Sequence, residues 1–123
     1  MSSAQAIGQI AVTVSDVGVA LRFYRDLLGL EHLFDAGPSL AFLRAGDVRL
    51  MLSTPQGHGA VGANSVLYFR VENVEFRWAE LVEKGATAER PPQLTARMPD
   101  HELWIGFVKD PDGNLVGLME EKR

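Results

Sequence analysis

The sequence predicts an α+β fold of two tandem β-α-β-β-β modules, and three observations predict it. Several short runs alternate apolar and polar residues at period two, as a strand with one covered face does. Two segments carry apolar residues at three- and four-residue spacing, as a helix with one buried face does. The third is a repeat: Val14-Ser15-Asp16-Val17 matches Val71-Glu72-Asn73-Val74, so that Asp16 and Asn73 stand 57 positions apart, each at a junction of strand and helix. An internal duplication accounts for this.

The elements follow in order. From Ile7 to Val14, the apolar Ile10, Val12 and Val14 alternate with Gln9, Ala11 and Thr13, which predicts a strand. Asp16 offers a helix N-cap. Leu21, Tyr24, Leu27 and Leu28 then form an apolar stripe, and Gly29 supplies the stop, so a helix is expected over about 17–28. Extended runs follow at Leu30 to Phe34, Leu40 to Arg44 and Val48 to Ser53, the last two joined by the turn Ala45-Gly46-Asp47. Thr54 to Asn64, TPQGHGAVGAN, has neither periodicity and reads as a linker between modules of about 5–54 and 64–121.

The second half repeats the plan. Val66 to Val71 is a strand, Asn73 can cap, and Val74, Trp78, Leu81 and Val82 make the stripe of a helix ending at Gly85, with Glu80 and Lys84 paired on its wet side. Pro91, Pro92 and Pro99 limit Ala86 to Asp100 to a short edge strand or a loop. Leu103 to Lys109 and Leu115 to Met119 are the last strands, joined by a turn in which Asp110, Asp112 and Asn114 bond backbone donors and Gly113 takes positive φ. A helix on one face leaves the other face of each sheet uncovered. Two such faces set against each other enclose a cup, which suits a small molecule.

Composition narrows the classes of function. The 123 residues are 46% hydrophobic and 23% charged, with zero Cys, so thiolate catalysis, zinc ribbons, iron–sulfur sites and disulfides are excluded. A net charge of −4, mixed along the chain, argues against a nucleic-acid-binding face. Short apolar runs and an N-terminus without a basic, then apolar, stretch lead to the expectation of a soluble cytoplasmic protein with no membrane partner.

At this point the runs IGQIAVTVSDVGVALRFYRDLLGLE, LYFRVENVEFRWAELVEKGA and FVKDPDGNLVGLME resemble the vicinal-oxygen-chelate superfamily, which includes glyoxalase I, extradiol dioxygenases, fosfomycin-resistance enzymes and bleomycin-resistance proteins. The resemblance spans nearly the whole chain. It implies the cup of paired modules with helices outside, and a homodimer. It also implies where a divalent metal would be held: His, Glu, His and Glu, or three of these, on the first, fourth, fifth and eighth strands. The matching residues here are Gln9, Met51 (Leu50 if the register slips by one), Val66 and Gly117. None is His, Asp or Glu. A lone Gln carbonyl is a poor anchor for a cation without anionic or imidazole partners, so no cofactor and no metal ligands are expected.

Candidate ligand-binding residues follow from alternation. With Leu50, Leu52, Leu67, Phe69 and Val71 under the helices, Arg49, Met51, Val66, Tyr68 and Arg70 face the cup, where Gln9, Thr13 and Met119 join them. Two guanidinium forks favour a carboxylate or phosphate, whereas the acidic balance is compatible with a cationic ligand; both remain open. Trp104 either stacks on a ligand at the rim or covers the sheet edge, while Trp78 belongs to the core. His32, His58 and His101 show no paired spacing. His101, in the loop before Trp104, and Tyr68 are the candidate catalytic groups of a metal-free enzyme. Gly57, Gly59 and Gly62 fit a dinucleotide-binding spacing but open into a strand, which removes the helix that motif needs. The leading expectation is a metal-independent protein that binds or sequesters a small organic ligand. The alternative is a lyase or dioxygenase-type enzyme with an atypical metal site or a metal-free mechanism.

Overall fold

The computed structural model describes residues 4–57 and 59–123, and the chain divides into two compact units, Met1–Val61 and Gly62–Arg123. In the first, β1 (Gln9–Thr13) leads into α1 (Val17–Leu21), which continues without a break as a π-helical segment, Arg22–Leu27. Then come β2 (Glu31–Asp35), β3 (Leu40–Ala45) and β4 (Val48–Ser53), in the sheet order β1-β4-β3-β2. β1 runs parallel to β4, and the remaining pairs are antiparallel. A parallel pair needs a crossover, which α1 supplies on one face of the sheet.

The local sequence explains these elements. Asp16, extended itself, accepts from Val19 N at 2.9 Å and so satisfies one of the free donors of the first turn. The expected single helix changes pitch at Arg22: Leu28 N reaches Phe23 O at 2.9 Å, a five-residue span. Phe23 and Tyr24, consecutive in sequence, are 2% and 1% exposed, with their rings edge to face at 4.9 Å. Both stay buried through the wider turn. Beneath them Val12, Leu43, Leu50 and Leu52 fill the core. The pleat therefore turns Arg49 and Met51 to the opposite face, as the alternation predicts.

The second unit repeats the connectivity. β5 (Leu67–Arg70), α2 (Val74–Glu83), β6 (Thr87–Arg97), β7 (Glu102–Lys109) and β8 (Leu115–Lys122) form a sheet of order β5-β8-β7-β6, with β5 parallel to β8. Asn73 caps α2 from the left-handed region, at φ 51, and Glu120 of β8 accepts from Val74 N at 2.9 Å. Val74 and Leu81 are fully buried. Trp78, expected in the core, is half-buried, with its indole Nε1 donating to Phe107 O of the sheet at 2.9 Å. Glu80 pairs with Lys84 at 3.6 Å, as expected, and also with Arg77.

β6 corrects the expectation of a short edge or loop. It is an edge strand, but one of eleven residues. Pairing with β7 passes from Arg90 opposite Phe107 to Gln93 opposite Ile105, so Pro91 and Pro92 bulge past Gly106. A Cβ on Gly106 would stand 2.9 Å from Pro92 Cγ. Glycine thus makes room for prolines whose missing donors the bulge tolerates.

The β7–β8 turn is built as expected. Asp110, 3% exposed, accepts from Asp112 N at 2.9 Å, Asn114 N at 2.8 Å and Asn114 Nδ2 at 2.8 Å. Asn114 Oδ1 accepts in turn from Asn64 Nδ2 at 2.9 Å. Replacing Asp110 by Ala leaves three donors, two of them buried, without this acceptor. Asp110→Ala is expected to cost about 2–4 kcal/mol in urea denaturation, well above the few tenths expected at an exposed carboxylate such as Glu83.

Candidate functional site

The face of each sheet away from its helix carries most of the predicted residues, and each module presents its own set. In the first, Gln9 lies opposite Arg49 and Ala11 opposite Met51. Arg49 Nε donates to Gln9 Oε1 at 2.7 Å, and Gln9 Nε2 reaches Met51 Sδ at 3.7 Å. The Arg49 guanidinium also lies over the Phe42 ring, 5.3 Å from its centre, and Phe42 stacks on the half-exposed Phe34 at 4.6 Å. Arg44, directly opposite Arg49, is held by Glu31 at 3.1 Å. Thr13 is buried at the end of β1. A Cβ on Gly59 would fall 2.5 Å from its Oγ1, so Thr13 is covered by backbone and stands apart from the Gln9, Arg49 and Met51 group.

In the second module Tyr68 pairs with Gly117, and Arg70 with Met119. The Tyr68 ring lies across Gly117, where a Cβ would meet Cδ2 at 2.5 Å, and it meets Phe107 edge to face at 5.8 Å. Arg90, opposite Phe107, sets its guanidinium 4.8 Å from that ring. Arg70 borders a shallow cleft of about 480 Å³ with Glu72, Glu120, Glu121 and Arg123. Val66 is exposed just ahead of β5.

Trp104 is not on this face. It shares the helix side with Val108 and Glu120; Lys122 Nζ sits 4.5 Å from its ring, and its Nε1 donates to Glu102 at 3.1 Å. Of the two readings left open by the sequence, covering the sheet is the one this placement matches.

His101 is held in a ring of charges. Its Nδ1 lies 2.8 Å from Asp100 Oδ1 and its Nε2 3.9 Å from Glu121, while Arg123 contacts both Asp100, at 2.8 Å, and Glu121, at 3.4 Å. Arg123 first, then His101, hold the Asp100 carboxyl down from 3.8 to about 2. His32 pairs with Asp35 at 2.7 Å, and His58 lies outside the described residues.

The register also shows which residues correspond between the modules. Met51 pairs with Ala11 as Gly117 pairs with Tyr68, and Ala11 and Tyr68 are 57 positions apart, so Met51 and Gly117 are counterparts and Leu50 belongs to the helix side. These residues do not suit a metal. Gln9 Oε1 is engaged by a guanidinium, Met51 offers a neutral thioether, Val66 nothing, and Gly117 only a backbone covered by Tyr68. Among the described residues, no group of three or more His, Asp or Glu could hold a metal ion.

Sequence reasoning missed Phe34, Phe42, Phe107 and Arg90 as partners of the predicted set. Arg90 was hidden because the neighbouring prolines suppressed β6. The phenylalanines fit strand alternation but show no functional signal until the register sets arginines over them.

A family model described as the Glyoxalase/Bleomycin resistance protein/Dioxygenase superfamily matches residues 6–118. Among curated proteins, the uncharacterized protein YraH of Bacillus subtilis (strain 168) is 27% identical over 128 residues, covering 91% of this chain and 95% of that one. Among solved structures, a lactoylglutathione lyase from Agrobacterium tumefaciens superposes with a TM-score of 0.77 at 26% identity, covering 96% of this chain and 95% of that chain. TnmS3, an antibiotic binding protein from Streptomyces sp. CB03234, does so with a TM-score of 0.77 at 23% identity, covering 99% and 100%, a likeness of fold.

Two predictions follow from this geometry. Gly117→Ala should cost about 1–2 kcal/mol in urea denaturation by displacing the Tyr68 ring, and the cost should vanish in a Tyr68→Ala background; equal costs in both backgrounds would refute the contact. The Asp100 pairing has a definite sign in pH. Because its folded value lies below the ordinary one, its contribution is complete above about pH 5 and fades as the pH falls through about 4 toward 2. The stability difference between wild type and Asp100→Asn, measured by denaturation across that range, should shrink accordingly.

Proposed function

The chain belongs to the Glyoxalase/Bleomycin resistance protein/Dioxygenase superfamily, and we propose that within it this protein binds a small organic ligand without a metal ion. The observation that carries this reading is the state of the four matched positions: one carbonyl already bonded to Arg49, one thioether, one aliphatic chain and one glycine beneath a tyrosine ring. Such a set gives neither the charge nor the lone pairs that a divalent cation needs in order to polarise a substrate. Each module's face by itself offers instead apolar and aromatic groups with a few fixed polar ones, the usual make-up of a site that binds organic molecules. The antibiotic-binding neighbour supports the same reading at the level of fold. The superfamily resemblance further leads us to propose a cytoplasmic homodimer.

One observation favours a second reading, a metal-free enzyme. The His101 imidazole, 15% exposed, is oriented by Asp100, which is the arrangement of a general base and the carboxylate that positions it. Tyr68, half-exposed, is the other group available for such chemistry.

Elemental analysis of the purified protein for Fe, Mn, Ni, Zn, Co and Cu, before and after reloading, tests the first reading, combined with thermal-shift screening of a small-molecule library. Metal well below one per chain together with stabilising compounds is the expected result. Near-stoichiometric metal would overturn it and move the protein to the lyase or dioxygenase class. For any compound bound, chemical change that is lost in His101→Ala while binding persists would establish the enzyme reading.

A further inference from the structure

The arginines divide by whether a carboxylate answers them. Of the nine in the chain, Arg25, Arg44, Arg77, Arg97 and Arg123 each lie within ion-pair distance of an Asp or Glu. Among the described residues, Arg22, Arg49, Arg70 and Arg90 do not. Arg22 is exposed on the helix side. The other three all occupy the sheet faces turned away from the helices. The chain has an excess of acids, 16 against 12 bases, so a shortage of carboxylates does not explain why these three are left without one.

Among the described residues the carboxylates of these faces are mostly engaged, the exception being Glu72 in the cleft beside Arg70. Glu31 of the first module is tied to Arg44 at 3.1 Å, and Glu121 of the second to Arg123 at 3.4 Å. An aromatic ring takes the place of the counter-ion: Phe42 lies under Arg49 at 5.3 Å, and Phe107 under Arg90 at 4.8 Å. Phe42 and Phe107 are counterparts in the duplication, opposite Met51 and Gly117 respectively. A ring quadrupole holds a guanidinium in place but returns only about 0.5–1 kcal/mol at an exposed site. It also leaves the in-plane N–H donors free. Arg49 uses Nε on Gln9 and gives no Nη to any described residue, so its two-pronged end is oriented and unfilled.

We propose that these faces recognise a planar organic anion, with its carboxylate on the fork of Arg49 and its flat body against Phe34 and Phe42 in the first module, or with its carboxylate on Arg70 or Arg90 and its flat body against Tyr68 and Phe107 in the second. This rests on the ligand-binding reading above and deepens it by assigning the sign of the ligand's charge. It resolves the conflict that composition leaves open.

The test compares three molecules of one shape, benzoate, benzamide and benzylamine, by calorimetry and thermal shift at millimolar concentration with the full chain. Benzoate should bind at least about tenfold more tightly than the other two. Its affinity should fall by about tenfold or more in at least one of Arg49→Gln, Arg70→Gln and Arg90→Gln, fall with added salt, and remain unchanged in Arg22→Gln. Arg49→Lys, which keeps the charge but loses the fork, guards against a variant that fails to fold and should be intermediate if Arg49 is the residue used. The proposal is overturned if benzamide or benzylamine binds as well as benzoate, or if none of the three glutamine variants weakens benzoate. If none of the three molecules binds while other members of the library do, the charge assignment falls and the binding reading survives. If nothing binds at all, both fall.

Discussion

The parallel pairing of the first and last strands within each module constrains everything else. Parallel neighbours cannot be joined by a tight turn, so the chain must cross over one face of the sheet, and the helix that makes the crossing buries that face. The pleat then sorts each strand: Leu50 and Leu52 go under the helix, and Arg49 and Met51 to the other side. Every candidate residue on an open face owes its position to this one requirement.

Duplication sets counterparts at the same place in each module and lets them diverge in chemistry. Ala11 beside Met51 in one copy becomes Tyr68 beside Gly117 in the other. The exchange is one of volume: a small residue faces a long one, and a large ring covers a residue with no side chain. Phe42 and Phe107 stay constant beneath a guanidinium, although the arginines come from different strands, β4 and β6. What persists between the copies is therefore the pairing of charge and ring, reached by separate routes.

Much of this was legible in the sequence, because strand alternation and helix caps are local. Asp16 and Asn73 cap as their residue types suggest, and Val48–Ser53 is a strand with the predicted ends. Effects that depend on a distant partner were not legible. Pro91 and Pro92 read as strand breakers until Gly106, on another strand, is seen to accommodate them. The side taken by Trp104 depends on the register of β7 against β8, which no local pattern fixes. His101 is visible as an imidazole, but Glu121 and Arg123 come to it only through the hairpin. Gln9, Val66 and Gly117 lack suitable donors wherever they point, whereas which of Met51 and Leu50 turns away from the helix required the sheet.

The proline pair in β6 has a further consequence for how the protein behaves in a crowded solution. An outermost strand of eleven residues would ordinarily offer a long row of free donors and acceptors to any passing chain. Pro91 and Pro92 bring no N–H donors to the middle of the strand, and the bulge against Gly106 breaks the straight edge into shorter segments. A second strand would find no continuous template there. The irregularity thus protects the sheet against edge-to-edge aggregation while leaving the pairing of β6 with β7 in place on either side.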